Sequence, residues 1–215
     1  MLHLHTDSVL EVTIHSAHGL KDVERAGKND VYVRISLEVD NNKFYDKFQT
    51  NVQKNAGVEA TWEEKVDIRE VKENHDTLYV EIMDSEKGVD APIAYTAVPL
   101  GQVKDSNRSL SAKYTLYNEN GLAQGDISLT IRIVNPGEES SGRITYDGNF
   151  KLGESRVDEA QKKRFKSLKL KENIADAGAA TALGVLGGLG ATFLAQKMGK
   201  KDTHKNDDEN VAENN

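Results

Sequence analysis

The feature that most constrains the fold is a succession of short alternating segments that fills residues 1–135. Turn-forming residues separate eight such segments: VLEVTIHSA, DVYVRISLEV, KFYDKFQTNV, TWEEKVDIRE, TLYVEIMD, IAYTAVPL, AKYTLYNE and DISLTIRIV. Alternation places successive side chains on opposite faces of a strand, and segments at this spacing are typical of an all-β sandwich. We therefore predict an all-β fold, an eight-stranded antiparallel β-sandwich over residues 1–135.

The segment DISLTIRIV shows the expected pattern of burial most clearly. Its aliphatic residues share one face and its polar residues the other, namely Ile127, Leu129, Ile131 and Ile133 against Ser128, Thr130 and Arg132. We expect the aliphatic face to be buried between two sheets and the polar face to lie in water.

The composition changes after the polar stretch NPGEESSG, which begins at Asn135. We predict a polar linker over residues 136–160 and a basic amphipathic segment over residues 161–176. A Gly/Ala-rich apolar segment follows over residues 177–196, with a disordered polar tail over residues 197–215. The chain is therefore expected to consist of one sandwich domain and a different kind of C-terminal extension.

The C-terminal extension has two features that favour contact with a membrane. Basic residues of QKKRFKSLKLK would bind anionic lipid while its aromatic residue inserts, and this set comprises Lys162, Lys163, Arg164, Phe165, Lys166, Lys169 and Lys171. As a helix, the twenty residues 177–196 would be about 30 Å long, enough to cross a hydrocarbon core. A stripe of small residues would let two such helices pack closely: Ala180, Gly184, Gly188 and Thr192.

Other readings of the extension stay open at this point. Eleven of the twenty residues are Ala or Gly, so the segment is a marginal span and could instead be a disordered tail. The basic run could instead be a solvated helix face or a basic run like those of nuclear-import signals.

Composition narrows the location and the partners of the protein. The chain has no cysteine and opens without a charged and apolar leader, so we expect a cytoplasmic, membrane-associated protein. The net charge of -7 argues against nucleic acid as a partner.

Three motifs fall in the order found in C2 domains. The stretch GLKDVERAGKNDVYVRI resembles the first calcium loop of that family, ATWEE resembles its tryptophan signature, and LYVEIMDSE resembles the strand that enters its third loop. The resemblance covers roughly residues 8–135. Because the chain starts on LEVTIHSA, it resembles the topological variant of the family in which this strand comes first. It implies a β-sandwich that binds calcium and phospholipid.

The resemblance also implies a set of calcium ligands. Asp30 and Asp84 match the family pattern directly, and Glu86 stands where the family prefers aspartate. The full candidate set is Asp22, Glu24, Asp30, Asp84, Glu86 and Asp90. Asp22 and Glu24 are alternatives for one position, because the first has the usual residue type and the second has the usual spacing. Nearby cations could instead neutralise a merely solvated loop: Lys21, Arg25, Lys28 and Lys87.

These observations predict a non-catalytic, lipid-binding protein, with calcium as its cofactor and an anionic phospholipid membrane as its partner. The sequence contains no motif of a nucleophile elbow, a zinc protease or a phosphate loop. The alternative is an interaction scaffold with a calcium-independent sandwich, in which the Gly/Ala helix forms homo-oligomers or binds a partner protein.

Overall fold

The computed structural model describes residues 8–24, 27–40, 43–69, 71–137 and 149–176. Within them the chain forms nine strands and two helices. The strands are β1 Val9–His18, β2 Val31–Val39, β3 Phe44–Gln49, β4 Ala60–Ile68, β5 Thr77–Asp84, β6 Ala91–Pro99, β7 Ser109–Tyr117, β8 Ala123–Val134 and β9 Lys151–Leu152. The helices are α1 Gly101–Asp105 and α2 Glu159–Asp176. The eight predicted segments correspond in order to β1 to β8, so the predicted fold class is confirmed.

The first eight strands form two antiparallel layers. One layer has the order β3-β2-β5-β6 and the other has the order β7-β8-β1-β4. Between β6 and β7, the described residues contain one register pair, Tyr95 with Tyr117. The sandwich is therefore one sheet curled on itself, with a weakly paired seam between β6 and β7.

The aliphatic residues of β8 point into the space between the layers, as predicted, but its opposite face is not in water. Ser128 and Thr130 are both buried. The Thr130 hydroxyl lies 2.9 Å from Nε2 of His15 and 2.7 Å from the hydroxyl of Ser111. The Phe150 ring meets the His15 ring edge-on at 5.2 Å. The predicted wet face is wrong at these positions, because hydrogen bonds between side chains allow Thr130 to be buried.

Residues 151–156 close the seam between the layers. Strand β9 pairs in parallel with β7, and the Gly153 N–H donates to the Lys113 carbonyl at 2.9 Å. Arg156 and Ala97 of β6 exchange both backbone hydrogen bonds, at 2.8 and 3.1 Å. Gly153 is needed here because a Cβ would lie 2.3 Å from the Tyr114 ring. This short segment thus bridges two strands that barely pair with each other.

Helix α2 packs on the outer face of the layer that contains β2, β5 and β6. It begins after Asp158, whose carboxylate caps the helix by accepting the Gln161 N–H at 2.8 Å. Phe165 is fully buried, with its ring centroid 4.9 Å from that of Tyr95. The two rings belong to an apolar cluster of Tyr32, Met83, Tyr95 and Phe165. Strand β6 is buried along its whole length, because the helix side as well as the core side is covered.

An ion cluster accompanies these apolar contacts. Glu81 of β5 is fully buried, and its Oε2 accepts a hydrogen bond from Nη2 of Arg34 and lies 3.4 Å from Arg164 of α2. Both guanidinium groups lie over the ring of Phe44, at 5.3 and 5.5 Å from its centroid. Helix and sheet are therefore joined by charge as well as by apolar burial.

The domain boundaries differ from those expected. The chain divides into compact units at residues 1–173 and 174–215, and only residues 174–176 of the second are described. We expected a linker over residues 136–160 and a separate basic segment over residues 161–176. Residues 149–173 belong to the domain instead, because β9 pairs with β7 and α2 buries Phe165. The predicted segments 177–196 and 197–215 lie outside the described residues.

Candidate metal site

Three loops meet at one end of the sandwich: residues 19–30 between β1 and β2, 50–59 between β3 and β4, and 85–90 between β5 and β6. Backbone hydrogen bonds connect them. The Leu20 N–H donates to the Val58 carbonyl at 3.0 Å, and the Ser85 N–H donates to the Asp30 carbonyl at 2.9 Å. The loop ends are therefore held together by the protein backbone.

Carboxylates from the first and third loops converge at this end. Glu24, Asp84 and Glu86 each offer an oxygen, and these oxygens lie within 4.8 Å of one another. Asp84, the last residue of β5, is fully buried. Its Oδ1 accepts the Asp30 N–H at 2.6 Å, whereas its Oδ2 has no hydrogen-bond partner among the described residues. A buried, unpartnered carboxylate oxygen is rare, because burial without compensation costs free energy.

The electrostatics at Asp84 reflect this lack of compensation. The pKa of its carboxyl is raised from 3.8 to about 6, with burial as the largest cause. The negative charges of Glu86 and Glu24 contribute to this rise, and the hydrogen bond from the Asp30 N–H opposes it. The site therefore favours a species that supplies positive charge, either a proton or a metal ion.

Local turns position the carboxylate of the first loop. Gly27 has φ +129°, and a Cβ there would lie 2.6 Å from Oε2 of Glu24. The buried Asn29 side chain accepts the Val23 N–H at 2.9 Å and donates to the Gly57 carbonyl at 2.9 Å. Asn29 thus fixes the shape of the loop, and its position before Asp30 is a turn signal that our sequence analysis missed.

The remaining candidate ligands bond to loop groups. Asp22 Oδ1 accepts the Glu24 N–H at 3.3 Å, and Asp30 Oδ1 accepts the Asn55 N–H at 2.7 Å. Asp90 uses both oxygens, which accept the Glu86 N–H at 3.1 Å and the Tyr32 hydroxyl at 2.7 Å. Of the six candidates, the structure brings together three, and it places Glu24 rather than Asp22 beside Asp84.

The three converging residues fit a calcium ion. Calcium prefers hard oxygen donors, six to eight in number, and carboxylates bind it through one or both oxygens. The Oδ2 of Asp84, which has no partner in the described part of the chain, is one such donor. Three carboxylates leave room for further oxygens from water or lipid, which is typical of sites with weaker affinity.

The structure sorts the predicted lipid-binding residues of α2 into three groups. Lys163, Lys166 and Lys171 are exposed. Lys162 and Lys169 are partly covered and pair with Glu159 at 3.2 Å and Glu172 at 2.6 Å. Phe165 and Arg164 are buried against the sheet. The expectation that Arg164 and Phe165 contact lipid is therefore wrong, because both side chains are packed against the sandwich.

The predicted helix-packing stripe, Ala180, Gly184, Gly188 and Thr192, lies outside the described residues. Across the part of the chain that is described, no helix combines the length and apolar character needed to cross a bilayer.

Comparison with known proteins agrees with the fold. The C2 domain family model matches residues 8–116. The Arabidopsis thaliana protein named Protein SRC2 homolog is 31% identical over 131 residues, which cover 57% of this chain and 40% of that protein. The chain thus spans two fifths of that relative's length.

One solved structure of a C2 domain shows the same architecture. A C2 domain of a plant extended synaptotagmin 1 aligns with a TM-score of 0.50 and 15% identity over 64% of this chain and 100% of the other. A pair of C2 domains from extended synaptotagmin 2, solved with calcium bound, aligns with a TM-score of 0.48 and 20% identity over 61% of this chain and 47% of the other. The chain belongs to the C2 domain family, whose members are in general lipid- or membrane-binding modules, some of them calcium-dependent.

Proposed function

We propose that this protein is a non-catalytic membrane-binding protein whose C2 domain attaches to anionic phospholipid when calcium binds Glu24, Asp84 and Glu86. One observation carries the proposal: Asp84 is fully buried, yet its Oδ2 has no partner among the described residues and two further carboxylates lie beside it. Calcium would supply the missing positive charge and could share its remaining coordination positions with lipid phosphate oxygens. We place the protein at the cytosolic face of a membrane.

The loops offer lipid contacts beside the acidic residues. Val89 of the third loop is 45% exposed, and Val58 of the neighbouring loop is 48% exposed. Lys87 and Lys54 are exposed on the same two loops. Once the carboxylates are neutralised, this end of the domain would present apolar and basic side chains, which suit an anionic bilayer surface.

Helix α2 supports a second attachment through its outward face. The exposed Lys163, Lys166 and Lys171 lie on that face with Leu170, which is 61% exposed. Each lysine near an anionic leaflet contributes about 1 kcal/mol. We propose that this face, and not Phe165, binds lipid from the helix. Residues 177–196 and their small-residue stripe remain a proposed further anchor and self-association site.

Sedimentation of the full chain with vesicles tests the proposal. Phosphatidylcholine vesicles with and without phosphatidylserine would be mixed with protein in calcium or in chelator. Asp84→Asn should lose the calcium-dependent fraction bound. Asp105→Asn, an exposed acid after β6 and so at the opposite end of the domain, is the matched control and should bind as the wild type does. If the fraction of protein that sediments with vesicles is the same in chelator and in calcium, for the wild type and for Asp84→Asn, the calcium site is contradicted. The scaffold alternative is then favoured.

A further inference from the structure

Asp90 occupies an unusual place in the third loop, because both of its carboxylate oxygens are used within the protein. Oδ1 accepts the Glu86 N–H at 3.1 Å, which closes the loop on itself. Oδ2 accepts the Tyr32 hydroxyl at 2.7 Å, which ties the loop to strand β2. Its oxygens are not among those that converge with Asp84 in the described structure. Asp90 therefore holds the loop that carries Glu86.

Tyr32 connects this loop to helix α2. Its side chain is 3% exposed and belongs to the apolar cluster that includes Phe165 of the helix. Tyr32 pairs across the sheet with Met83, the residue before Asp84. One tyrosine thus has its ring packed in the cluster beneath α2 and its hydroxyl bonded to the third loop.

We propose that Tyr32 and Asp90 are positioning residues of the calcium site, through which the docked helix α2 sets the affinity for calcium. This inference rests on the calcium site proposed above. The helix fixes the Tyr32 ring by burying Phe165 in the same cluster. The Tyr32 hydroxyl fixes Asp90, and Asp90 fixes the backbone of Glu86.

The physical basis is the cost of ordering a loop. A loop that must become ordered when the ion binds loses backbone entropy at that moment, which weakens the apparent affinity. A loop already held in place does not bear that cost. Calcium affinity should therefore fall when the Tyr32 hydroxyl is removed, although that hydroxyl does not converge with Glu24, Asp84 and Glu86.

Calorimetric titration of the full chain with calcium chloride tests the first step. Tyr32→Phe removes only the hydroxyl and should raise the Kd for calcium about fivefold, the lower end of typical coupling between sites. Tyr117→Phe is the matched control, because Tyr117 packs against the same cluster and its hydroxyl donates a long hydrogen bond, 3.4 Å, to the Ser155 carbonyl rather than to the third loop. Its Kd should equal that of the wild type.

Amide hydrogen exchange provides a readout that general destabilisation would not reproduce. Without calcium, the Glu86 amide should exchange faster in Tyr32→Phe than in Tyr117→Phe, while the core amides of β8 exchange equally in both. Unchanged exchange at Glu86 together with an unchanged Kd overturns the inference.

Variants of α2 test the second step. Phe165→Ala should also raise the Kd, whereas Ser167→Ala, which alters an exposed residue of the same helix, should leave it unchanged. The double variant Tyr32→Phe with Phe165→Ala should weaken binding by less than the product of the two single effects, because both act on one connection. The role of the helix is overturned if the Kd of the double variant rises by the full product of the two single effects, or if Phe165→Ala has the Kd of the wild type.

Failure of the inference differs from failure of the calcium site. If the wild type binds calcium, Asp84→Asn abolishes the binding and Tyr32→Phe has no effect, only the positioning role is wrong. If the wild type gives no calcium heat at millimolar ion, the calcium site is wrong and the inference falls with it.

Discussion

Strand β5 carries two fully buried carboxylates whose surroundings are opposite. Glu81 faces Arg34 and Arg164, so the protein supplies its compensating charge permanently. Asp84, at the end of the same strand, faces a backbone N–H and the carboxylates of Glu24 and Glu86. The pKa of Asp84 is raised to about 6, chiefly by burial.

The comparison shows that burial alone does not decide whether an acidic residue is structural. A buried charge with fixed partners holds elements together, here helix α2 and the sheet, because its removal leaves uncompensated partners. A buried carboxylate whose second oxygen has no partner among the described residues, as at Asp84, favours binding of a proton or a metal ion from solution. Substitutions at these two positions should therefore change stability in opposite directions.

The largest effect is expected for Glu81→Gln. The change removes the buried carboxylate charge that faces Arg34 and Arg164, so the free energy of unfolding should fall by about 3–5 kcal/mol. Denaturant titration measures it. Glu59→Gln, whose side chain is 69% exposed, is the control and should have little effect. A loss below about 1 kcal/mol for Glu81→Gln would mean that the ion cluster does not hold the helix.

The opposite sign is expected for Asp84→Asn without calcium. The amide keeps an oxygen to accept the Asp30 N–H but removes the charge that faces Glu24 and Glu86. The free energy of unfolding should rise by about 1–3 kcal/mol, because the raised pKa of Asp84 means that its charge destabilises the folded state at neutral pH. Calcium should stabilise the wild type and not this variant, which thermal unfolding with and without the ion would measure. Destabilisation without calcium would contradict the proposed lack of compensation.

The pH dependence of stability should also distinguish the wild type from Asp84→Asn. The folded pKa of Asp84 is about 6 and its ordinary value is 3.8, so between these values the folded state binds a proton that the unfolded state does not. The wild type without calcium should therefore gain stability relative to Asp84→Asn as the pH falls from 7 to 5, by about 1 kcal/mol per unit near the middle. Calcium affinity should weaken over the same interval, because the proton and the ion compete. A parallel pH dependence of the two proteins would contradict the raised pKa.

The smallest effect is expected for Arg164→Lys. Lysine keeps the charge opposite Glu81 but loses the planar group that lies over Phe44, so the cost should be about 0.5–1 kcal/mol. Comparison with Arg164→Ala in the same titration separates the charge from the stacking. Equal losses for the two variants would assign the contribution to stacking rather than to charge.

The fold could be predicted from the sequence because strands with one buried face repeat with period two. The eight segments from VLEVTIHSA to DISLTIRIV carried that signal, and β1 to β8 follow it in order. Strand β9 has two residues, too few for any period, and what holds it is backbone pairing with β7. Local patterns do not reveal such a contact between distant parts of the chain.

The site was predictable in residue type and less so in geometry. Asp84 and Glu86 could be located because they lie at the end of a recognisable strand and match the third loop of C2 domains. The hydrogen bond from Tyr32 to Asp90, in contrast, joins residues that are distant in sequence. The basic run was misread because its composition resembles a membrane-surface helix. Its inner face was nevertheless present in the sequence as a helical spacing that we did not use: Gln161, Arg164, Phe165, Leu168 and Glu172.

Residues 151–156 close the seam between β6 and β7, and their late position in the chain affects folding during synthesis. Strands β1 to β8 have all been synthesised when the ribosome reaches Val134. The segment that bridges β6 and β7 and the helix that carries Phe165 are synthesised later. At about 5–20 residues per second, the stretch from Val134 to Asn173 takes on the order of seconds to appear. During that interval the nascent sandwich has only a weakly paired seam between β6 and β7, and the tyrosines on these strands are not yet covered by α2. We expect chaperones to bind the domain during this interval.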